Sequence, residues 1–154
     1  MEIKKRLMEL EISLPQPPSP IANFSNYTLH DGLLFISGQG PIGVGGKRHV
    51  GRVGADYTVQ QGKEMARLVA VNIVAVLNLA LEGDWSRFER FLKINGYVNS
   101  TNDFFRQPEV IDGCSDFLVQ LFGEQGRHAR TAIGVSVLPF NIPVEIEAIV
   151  ALRT

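Results

Sequence analysis

Apolar residues recur at helical spacing in three segments of the chain. Residues 2–12 carry an apolar position every third or fourth residue, which predicts a short amphipathic helix. A longer stripe begins after Thr58, which starts a capping-box pattern, and runs to about Leu81. The third stripe starts at Pro108, a residue favoured in the first helical turn, and ends at Gly123. The spacing therefore predicts one short helix and two long ones.

Apolar and polar residues alternate in other segments, a pattern typical of strands. The predicted strands span residues 27–29, 33–37, 91–99, 130–138 and 144–152. Asp31-Gly32 joins the first two, and this pair favours a tight hairpin turn. Because only Pro139 to Pro143 separate the last two strands, a second hairpin is expected there. Hairpin, helix, strand, helix and hairpin then follow one another, as in two similar halves.

Two segments lack either periodicity. Four prolines between residues 15 and 20 forbid a helix and favour an extended connector, so residues 1–20 are expected to add a helix and a linker to one domain. The glycine-rich stretch 38–54 predicts a long loop. The loop holds a small basic cluster: Lys47, Arg48, His49 and Arg52. Four such charges on a loop are more typical of a solvated segment than of a nucleic-acid site.

Composition narrows the class of protein. A chain of 154 residues, 45% hydrophobic and 20% charged, suits one globular domain. The net charge of -1 gives no general attraction to nucleic acid or anionic membranes. Cys114 is the single cysteine, which excludes a disulfide framework and suggests a buried apolar position. No apolar run approaches the roughly 20 residues of a membrane span, and acidic residues interrupt the N-terminal segment, so we expect a soluble, cytoplasmic protein.

The strand 130–138 has two unequal faces, because alternate residues point to opposite sides. One face carries Thr131, Ile133, Val135 and Val137, and is predicted to be core; the other carries Arg130, Ala132, Gly134 and Ser136. The last strand places Val144, Ile146 and Ala148 on one face and Glu145 and Glu147 on the other. If the two strands pair, Arg130 and a glutamate share one end of the hairpin, on the face away from the helices.

Two interpretations of this arginine remain open on the pattern alone. A surface salt bridge to Glu145 or Glu147 would contribute about 0–1 kcal/mol and would need no function. Alternatively, Arg130 binds the carboxylate of a ligand through its planar fork, with hydrogen bonds of roughly 1.5–3 kcal/mol each. The small residues beside it would let a ligand approach the backbone, and a glutamate could orient or deprotonate a water.

Four motifs together resemble the reactive-intermediate-deaminase (Rid, or YjgF-like) family, whose members have also been labelled L-PSP endoribonuclease and translation inhibitor. They are SGQGP (residues 37–41), NGYVNSTNDF (95–104), GRHARTAIGV (126–135) and VEIEAI (144–149). The similarity covers roughly residues 20–154 in the family's order and spacing. The resemblance implies a single chorismate-mutase-like α+β domain, with a mixed sheet of about six strands backed on one face by two helices. It also implies a homotrimer whose sheets face inward and whose ligand sites lie between subunits.

The resemblance assigns expected roles to several residues. Arg130 matches the arginine that grips the substrate carboxylate, and Glu145 matches the acid that positions the attacking water. Gly38 and Ala132 match positions that offer backbone groups to the ligand. Asp112 falls where the family often has an asparagine near the cleft.

Gln39 has two possible roles, and two other positions depart from the family pattern. Gln39 belongs to the same SGQ motif, where it either contacts the ligand or fixes the loop. Phe24 stands where many members place a tyrosine, so only a ring face remains for the ligand. Ala132 stands where well-known deaminases have a cysteine, which preserves backbone contacts but changes the pocket's shape and polarity.

The activity that the resemblance implies is hydrolysis of small 2-imino or enamine acids to 2-oxo acids and ammonia. The substrate is itself an electrophile, so no metal or organic cofactor is expected. His30, His49 and His128 are scattered and show no zinc-ligand spacing. His128 is two residues from Arg130 and could share its face, either contacting the ligand or serving structurally.

Two other functions are compatible with the sequence. A non-catalytic module would bind a carboxylate metabolite in the same cleft and report it to a partner, and the missing tyrosine and cysteine favour this hypothesis. An endoribonuclease would need a basic groove, which the near-neutral composition argues against. The expected partners are therefore a small carboxylate and further copies of the chain, without membrane or nucleic acid.

Overall fold

All three helical stripes form helices in the computed structural model of the protein, which describes residues 3–153. The helices are α1 (Ile3–Glu9), α2 (Val59–Ala80) and α3 (Gln107–Phe122). The predicted capping box of α2 is confirmed, because the Thr58 hydroxyl accepts from the Gln61 backbone and the Gln61 side chain accepts from the Thr58 backbone. The first helix is shorter than predicted, since Glu11 has a left-handed φ of 55°; residue 2 lies outside the described residues.

The described residues form one mixed sheet. Its strands are β1 (Tyr27–His30), β2 (Leu33–Gln39), β3 (Phe88–Asn99), β4 (Ala129–Val135) and β5 (Val144–Leu152). They lie in the order β1-β2-β5-β3-β4, with β3 parallel to β4 and all other pairs antiparallel. The helix-backed α+β architecture is as expected, but the described sheet has five strands where about six were expected.

The turn between β1 and β2 confirms the predicted hairpin. Asp31 and Gly32 both have positive φ angles, of 48° and 76°. Positive φ at both central residues is the requirement of a type I′ turn, whose twist matches that of the flanking strands. The Asp-Gly pair therefore sets the register of β1 on β2 locally.

The predicted hairpin between the last two strands is wrong. β5 lies between β2 and β3, while β4 lies at the edge of the sheet beside β3. The eight residues between Val135 and Val144 are enough to carry the chain past the end of β3. β4 also ends sooner than predicted, because its last residue already pairs with Asn99, the end of β3.

The core lies between the sheet and the helices α2 and α3. Every second residue of β5, from Val144 to Leu152, is buried against this layer, as the pattern predicted. The two helices approach closely at Gly113, where an added Cβ would lie 1.9 Å from the Lys63 carbonyl oxygen. Within residues 3–153 no helix has the length and apolar character to span a membrane. None of the described helices covers the opposite face of the sheet, which exposes apolar side chains such as Phe35.

Candidate functional site

The two faces of β4 are exchanged relative to the prediction. Arg130 pairs in register with Ile94 of β3, which pairs with Ala148 of β5. Ile94 and Ala148 are buried beneath the helices. Because register partners point to the same side of a sheet, Arg130 lies on the helix-covered face. Ile133, expected in the core, is 44% exposed on the open face.

The small residues that follow Arg130 make room for a helix. An added Cβ at Gly134 would lie 2.7 Å from Nε2 of Gln107, the first residue of α3, and 2.8 Å from Oγ of Ser100. Ala132 packs against the hydrophobic core. The space above these small residues, through which a ligand was expected to approach the backbone, is therefore occupied by the start of α3 and its surroundings. Alternation alone could not distinguish these two uses of small residues.

Arg130 is held by two residues of α3. Its Nη1 atom donates to Oδ1 of Asp112 at 2.7 Å and to Oγ of Ser115 at 3.2 Å. The side chains of Arg130 and Asp112 are 26% and 40% exposed, so the pair lies at the protein surface but partly out of water. Of the two interpretations left open by the sequence, the salt bridge to Glu145 or Glu147 is therefore not formed, and the acid beside the arginine is Asp112.

His128 extends this group of side chains. Its Nδ1 lies 2.6 Å from the Gly126 carbonyl oxygen, which can only accept, so Nδ1 carries the hydrogen. Nε2 then accepts from the Ser115 hydroxyl at 3.0 Å. Burial lowers the pKa of His128; the hydrogen bond to the Gly126 carbonyl opposes this shift, and the Arg130 charge adds a smaller lowering. A neutral imidazole is consistent with this hydrogen-bond direction. His128 shares the face of Arg130, as its spacing suggested.

Glu145 lies on the other side of the sheet, at the start of β5. Burial raises the pKa of this half-buried carboxyl, and the neighbouring Glu147 raises it further. Glu147 accepts hydrogen bonds of 2.9 Å from both Asn95 and Tyr97. Within residues 3–153 Glu145 makes no such bond, so its carboxylate remains available for a water or a ligand.

A cleft of about 790 Å³ adjoins Glu145. Its lining includes Gly38, Gln39 and Phe24, three of the residues predicted to contact the ligand, together with the proline-rich connector. Phe24 is 54% exposed and offers its ring to the cleft's surface. The Gln39 amide donates to the Ser37 carbonyl at 3.0 Å, which agrees with a role in fixing the loop.

The predicted site residues therefore form two groups. We call Arg130, Asp112, Ser115, His128 and Ala132 the arginine half-site, and Glu145, Gly38, Gln39 and Phe24 the glutamate half-site. Arg130 and Glu145 lie on opposite faces, two strands apart across the sheet and three register positions apart along it, on the order of 14 Å between Cα atoms. One chain does not bring the two half-sites together.

Other candidate groups serve the fold. Burial raises the pKa of the Cys114 thiol to about 12, so this residue is a core hydrophobe and not a nucleophile. Arg52 donates to the Asn99 side chain and the Ser100 carbonyl, while Arg48 stacks on Phe140 at 4.3 Å. The basic cluster of the loop is thus divided between separate contacts. No three His, Cys, Asp or Glu side chains in residues 3–153 come together as a metal-binding group.

Sequence reasoning missed Ser115 and Tyr97. Ser115 follows Asp112 by three residues on α3, a spacing that places both on one helix face, and this was a usable signal. Tyr97 shares the open face with Asn95, two residues earlier on β3. Burial and the bond to Glu147 raise the pKa of Tyr97, so its phenol stays protonated and donates to that acid.

Substituting Gly38 with alanine should displace the Glu145 carboxylate without unfolding the protein. An added Cβ would lie 3.0 Å from the carboxyl carbon of Glu145 and 3.1 Å from its Oε1. Since these atoms end a flexible side chain, the carboxylate is expected to move while the backbone stays in place. Crystal structures of the two proteins should show this displacement, and thermal unfolding should give a midpoint close to that of the wild type. A carboxylate that keeps its wild-type position, or a large fall in the midpoint, would contradict the expectation.

A family model and two known proteins match almost the whole chain. A family model described as "YjgF/chorismate_mutase-like, putative endoribonuclease" matches residues 4–150. Protein TCP17 of Trypanosoma cruzi is 40% identical over 152 residues, which cover 98% of this chain and 94% of that protein. The 2-iminobutanoate/2-iminopropanoate deaminase of Dermatophagoides farinae is 28% identical over 142 residues, covering 92% and 95%.

A solved structure shows the same fold. The crystal structure of Atu1372 from Agrobacterium tumefaciens, a protein of unknown function, superposes with a TM-score of 0.91 at 43% identity, over 98% of this chain and 92% of that chain. At this identity and coverage the helix-backed five-stranded sheet is an arrangement that both proteins share.

Proposed function

The chain belongs to the Rid/YjgF-like family, and we propose that it hydrolyses small 2-imino or enamine acids to 2-oxo acids and ammonia in clefts between the subunits of a homotrimer. The name of the mite relative, a 2-iminobutanoate/2-iminopropanoate deaminase, supports this reaction class. The observation that carries the proposal is the division of the site into an arginine half and a glutamate half on opposite faces of the sheet. Such a site is complete only when a second copy supplies the missing half.

The open face of the sheet supports assembly. It exposes Phe35 and Ile133 between polar residues, and no helix in residues 3–153 covers it. A sheet face with apolar residues of this size is stabilised when another surface removes it from water. Glu145 lies at the margin of this face, so a neighbouring subunit packed there could bring its Arg130 to the cleft. The inward-facing sheets of the trimer implied by the family resemblance have this arrangement.

In the proposed reaction each half-site has a separate task. Arg130 binds the substrate carboxylate and thereby fixes the imine carbon; such positioning supplies at most about 7–11 kcal/mol of the barrier. Glu145 accepts a proton from a water as the water oxygen bonds to that carbon and the C=N electron pair moves onto the nitrogen of the protonated imine. Glu145 then returns this proton to the amino nitrogen of the carbinolamine, the C–N bond breaks as the C=O bond forms, and the hydroxyl proton leaves with the ammonia. The raised pKa of Glu145 makes it a stronger base than an ordinary carboxylate.

Mixing two inactive variants tests whether the halves come from different subunits. Arg130→Ala retains the glutamate half-site, and Glu145→Gln retains the arginine half-site. After the two are unfolded and refolded together in equal amounts, about a quarter of the sites should combine one intact half from each variant. Imine turnover should then return to about a quarter of the wild-type rate. Mixed trimers, identified by mass spectrometry, that remain inactive would contradict a site shared between subunits.

A non-catalytic binding protein is the second candidate. Phe24 in place of a tyrosine removes a hydroxyl from the cleft, and Asp112 already occupies one nitrogen of Arg130. Both features reduce the polar groups available for chemistry while leaving a place for a carboxylate. This function predicts stoichiometric binding of 2-oxo acids that depends on Arg130, with no acceleration of imine decay.

A further inference from the structure

The guanidinium of Arg130 is fixed through one of its three nitrogens. Nη1 has two N–H groups; one donates to Asp112 and the other to Ser115. The Ser115 hydroxyl donates a hydrogen bond to Nε2 of His128, and Nδ1 of His128 donates to the Gly126 carbonyl. Each polar group in this series of hydrogen bonds has a partner, so the orientation of the arginine is determined before a ligand binds.

The opposite edge of the guanidinium is left for a ligand. Within residues 3–153 neither Nε nor Nη2 donates to a protein group. These two nitrogens form a planar fork whose parallel N–H bonds match the two oxygens of a carboxylate. Nη1 is used for anchoring and the Nε–Nη2 edge for binding.

Asp112 alters the charge that a ligand meets. Its carboxylate lies 2.7 Å from Nη1, so the Arg130–Asp112 pair is neutral overall and attracts a simple anion less than a lone arginine would. Only Oδ1 contacts the arginine, and Asp112 is 40% exposed, so its second oxygen can accept from a bound molecule. A ligand with a cationic nitrogen next to its carboxylate complements both members of the pair.

We propose that Asp112 is a specificity-determining residue that selects zwitterionic 2-iminium acids over 2-oxo acids. Arg130 binds the carboxylate through Nε and Nη2, and Asp112 accepts from the protonated imine nitrogen. The product keeps its carboxylate on Arg130 but has no nitrogen that donates to Asp112, so it is bound more weakly and its release is favoured. The identity of the reacting ligand rests on the proposed deaminase function, whereas the preference for a zwitterion rests on the Arg130–Asp112 geometry.

The test measures how the full-length protein binds two unreactive probes, the zwitterion alanine and the anion pyruvate, by isothermal titration calorimetry. Asp112→Asn should weaken alanine binding by about 10- to 100-fold, the effect of one hydrogen bond to a charged group, and should strengthen pyruvate binding. Asp116→Asn is the matched control: it lies on the same helix, is 67% exposed and pairs with Lys63, and it should change neither affinity.

Opposite effects on the two probes would establish the specificity role. Equal weakening of both by Asp112→Asn would mean that Asp112 only holds Arg130 in place, and would overturn the inference; so would a wild-type protein that binds neither probe. Imine turnover is measured separately on the same variants. If Asp112→Asn has opposite effects on the two probes but the wild type does not turn over imines, the specificity inference stands and the deaminase function is rejected. If imines are turned over but both probes are weakened equally, the deaminase function stands and the specificity inference is rejected.

Discussion

Replacing Arg130 with alanine should lower kcat/KM for 2-imino acid hydrolysis by about 10²- to 10⁴-fold. The variant loses two charge-assisted hydrogen bonds to the substrate carboxylate, each of roughly 1.5–3 kcal/mol. Each 1.4 kcal/mol or so corresponds to a factor of ten in rate. Coupling an amino-acid oxidase to the purified protein and following the disappearance of the imine measures this effect directly.

Two further variants test whether the planar pair of donors is needed in addition to the positive charge, and whether loss of another paired arginine has the same effect. Arg130→Lys keeps the positive charge without the planar pair of donors, so it should recover only part of the lost activity. Arg106→Ala removes another arginine that is paired with an acid of α3, Glu109, but is 60% exposed, and it should behave as the wild type. Thermal unfolding of all three checks that Asp112, left without its partner, does not destabilise the domain. Undiminished turnover in Arg130→Ala would contradict the assigned role.

Local signals in the sequence were sufficient for most elements of the fold. The capping box defined the start of α2, Asp31-Gly32 defined the first hairpin, and the alternation in β5 gave its limits at Val144 and Leu152. Each of these depends on residues a few positions apart. The place of β4 beside β3 depends on contacts between distant segments, and a short connection between β4 and β5 favoured the wrong pairing.

The candidate site residues came from the sequence, but their arrangement in the fold could not be predicted from it. The family resemblance pointed to Arg130 and Glu145, yet alternation could not tell which face of β4 meets the helices. Both faces carry small or apolar residues, because one packs on α3 and the other carries apolar groups exposed on the open sheet. The bond from Ser115 to His128 joins α3 to the start of β4, a contact that only the folded chain specifies.

The raised pKa of Glu145 affects both the proposed catalysis and the stability of the fold. Its pKa in the folded protein is raised above the ordinary value of 4.5 by burial and by Glu147. The folded state therefore binds this proton more tightly than the unfolded state does. As pH rises from the ordinary pKa through the raised one, the free energy of unfolding falls, and above the raised pKa the ionised carboxylate costs its full share of stability. An unpaired, half-buried base is useful for deprotonating water but unfavourable for the fold.

Glu145→Gln should consequently lose activity and gain stability. The amide cannot accept the proton of the attacking water, so kcat should fall by about 10²- to 10⁴-fold. The amide also has no charge to desolvate, so the thermal midpoint should rise at pH 7 and the difference from wild type should vanish at low pH, where the acid is protonated. In the wild type, kcat should decline as pH falls through the raised pKa of Glu145, above the range of an exposed glutamate. A variant that keeps the wild-type kcat or the wild-type acid limb would show that Glu145 is not the base, and a variant less stable than wild type at pH 7 would contradict the cost of burying its charge.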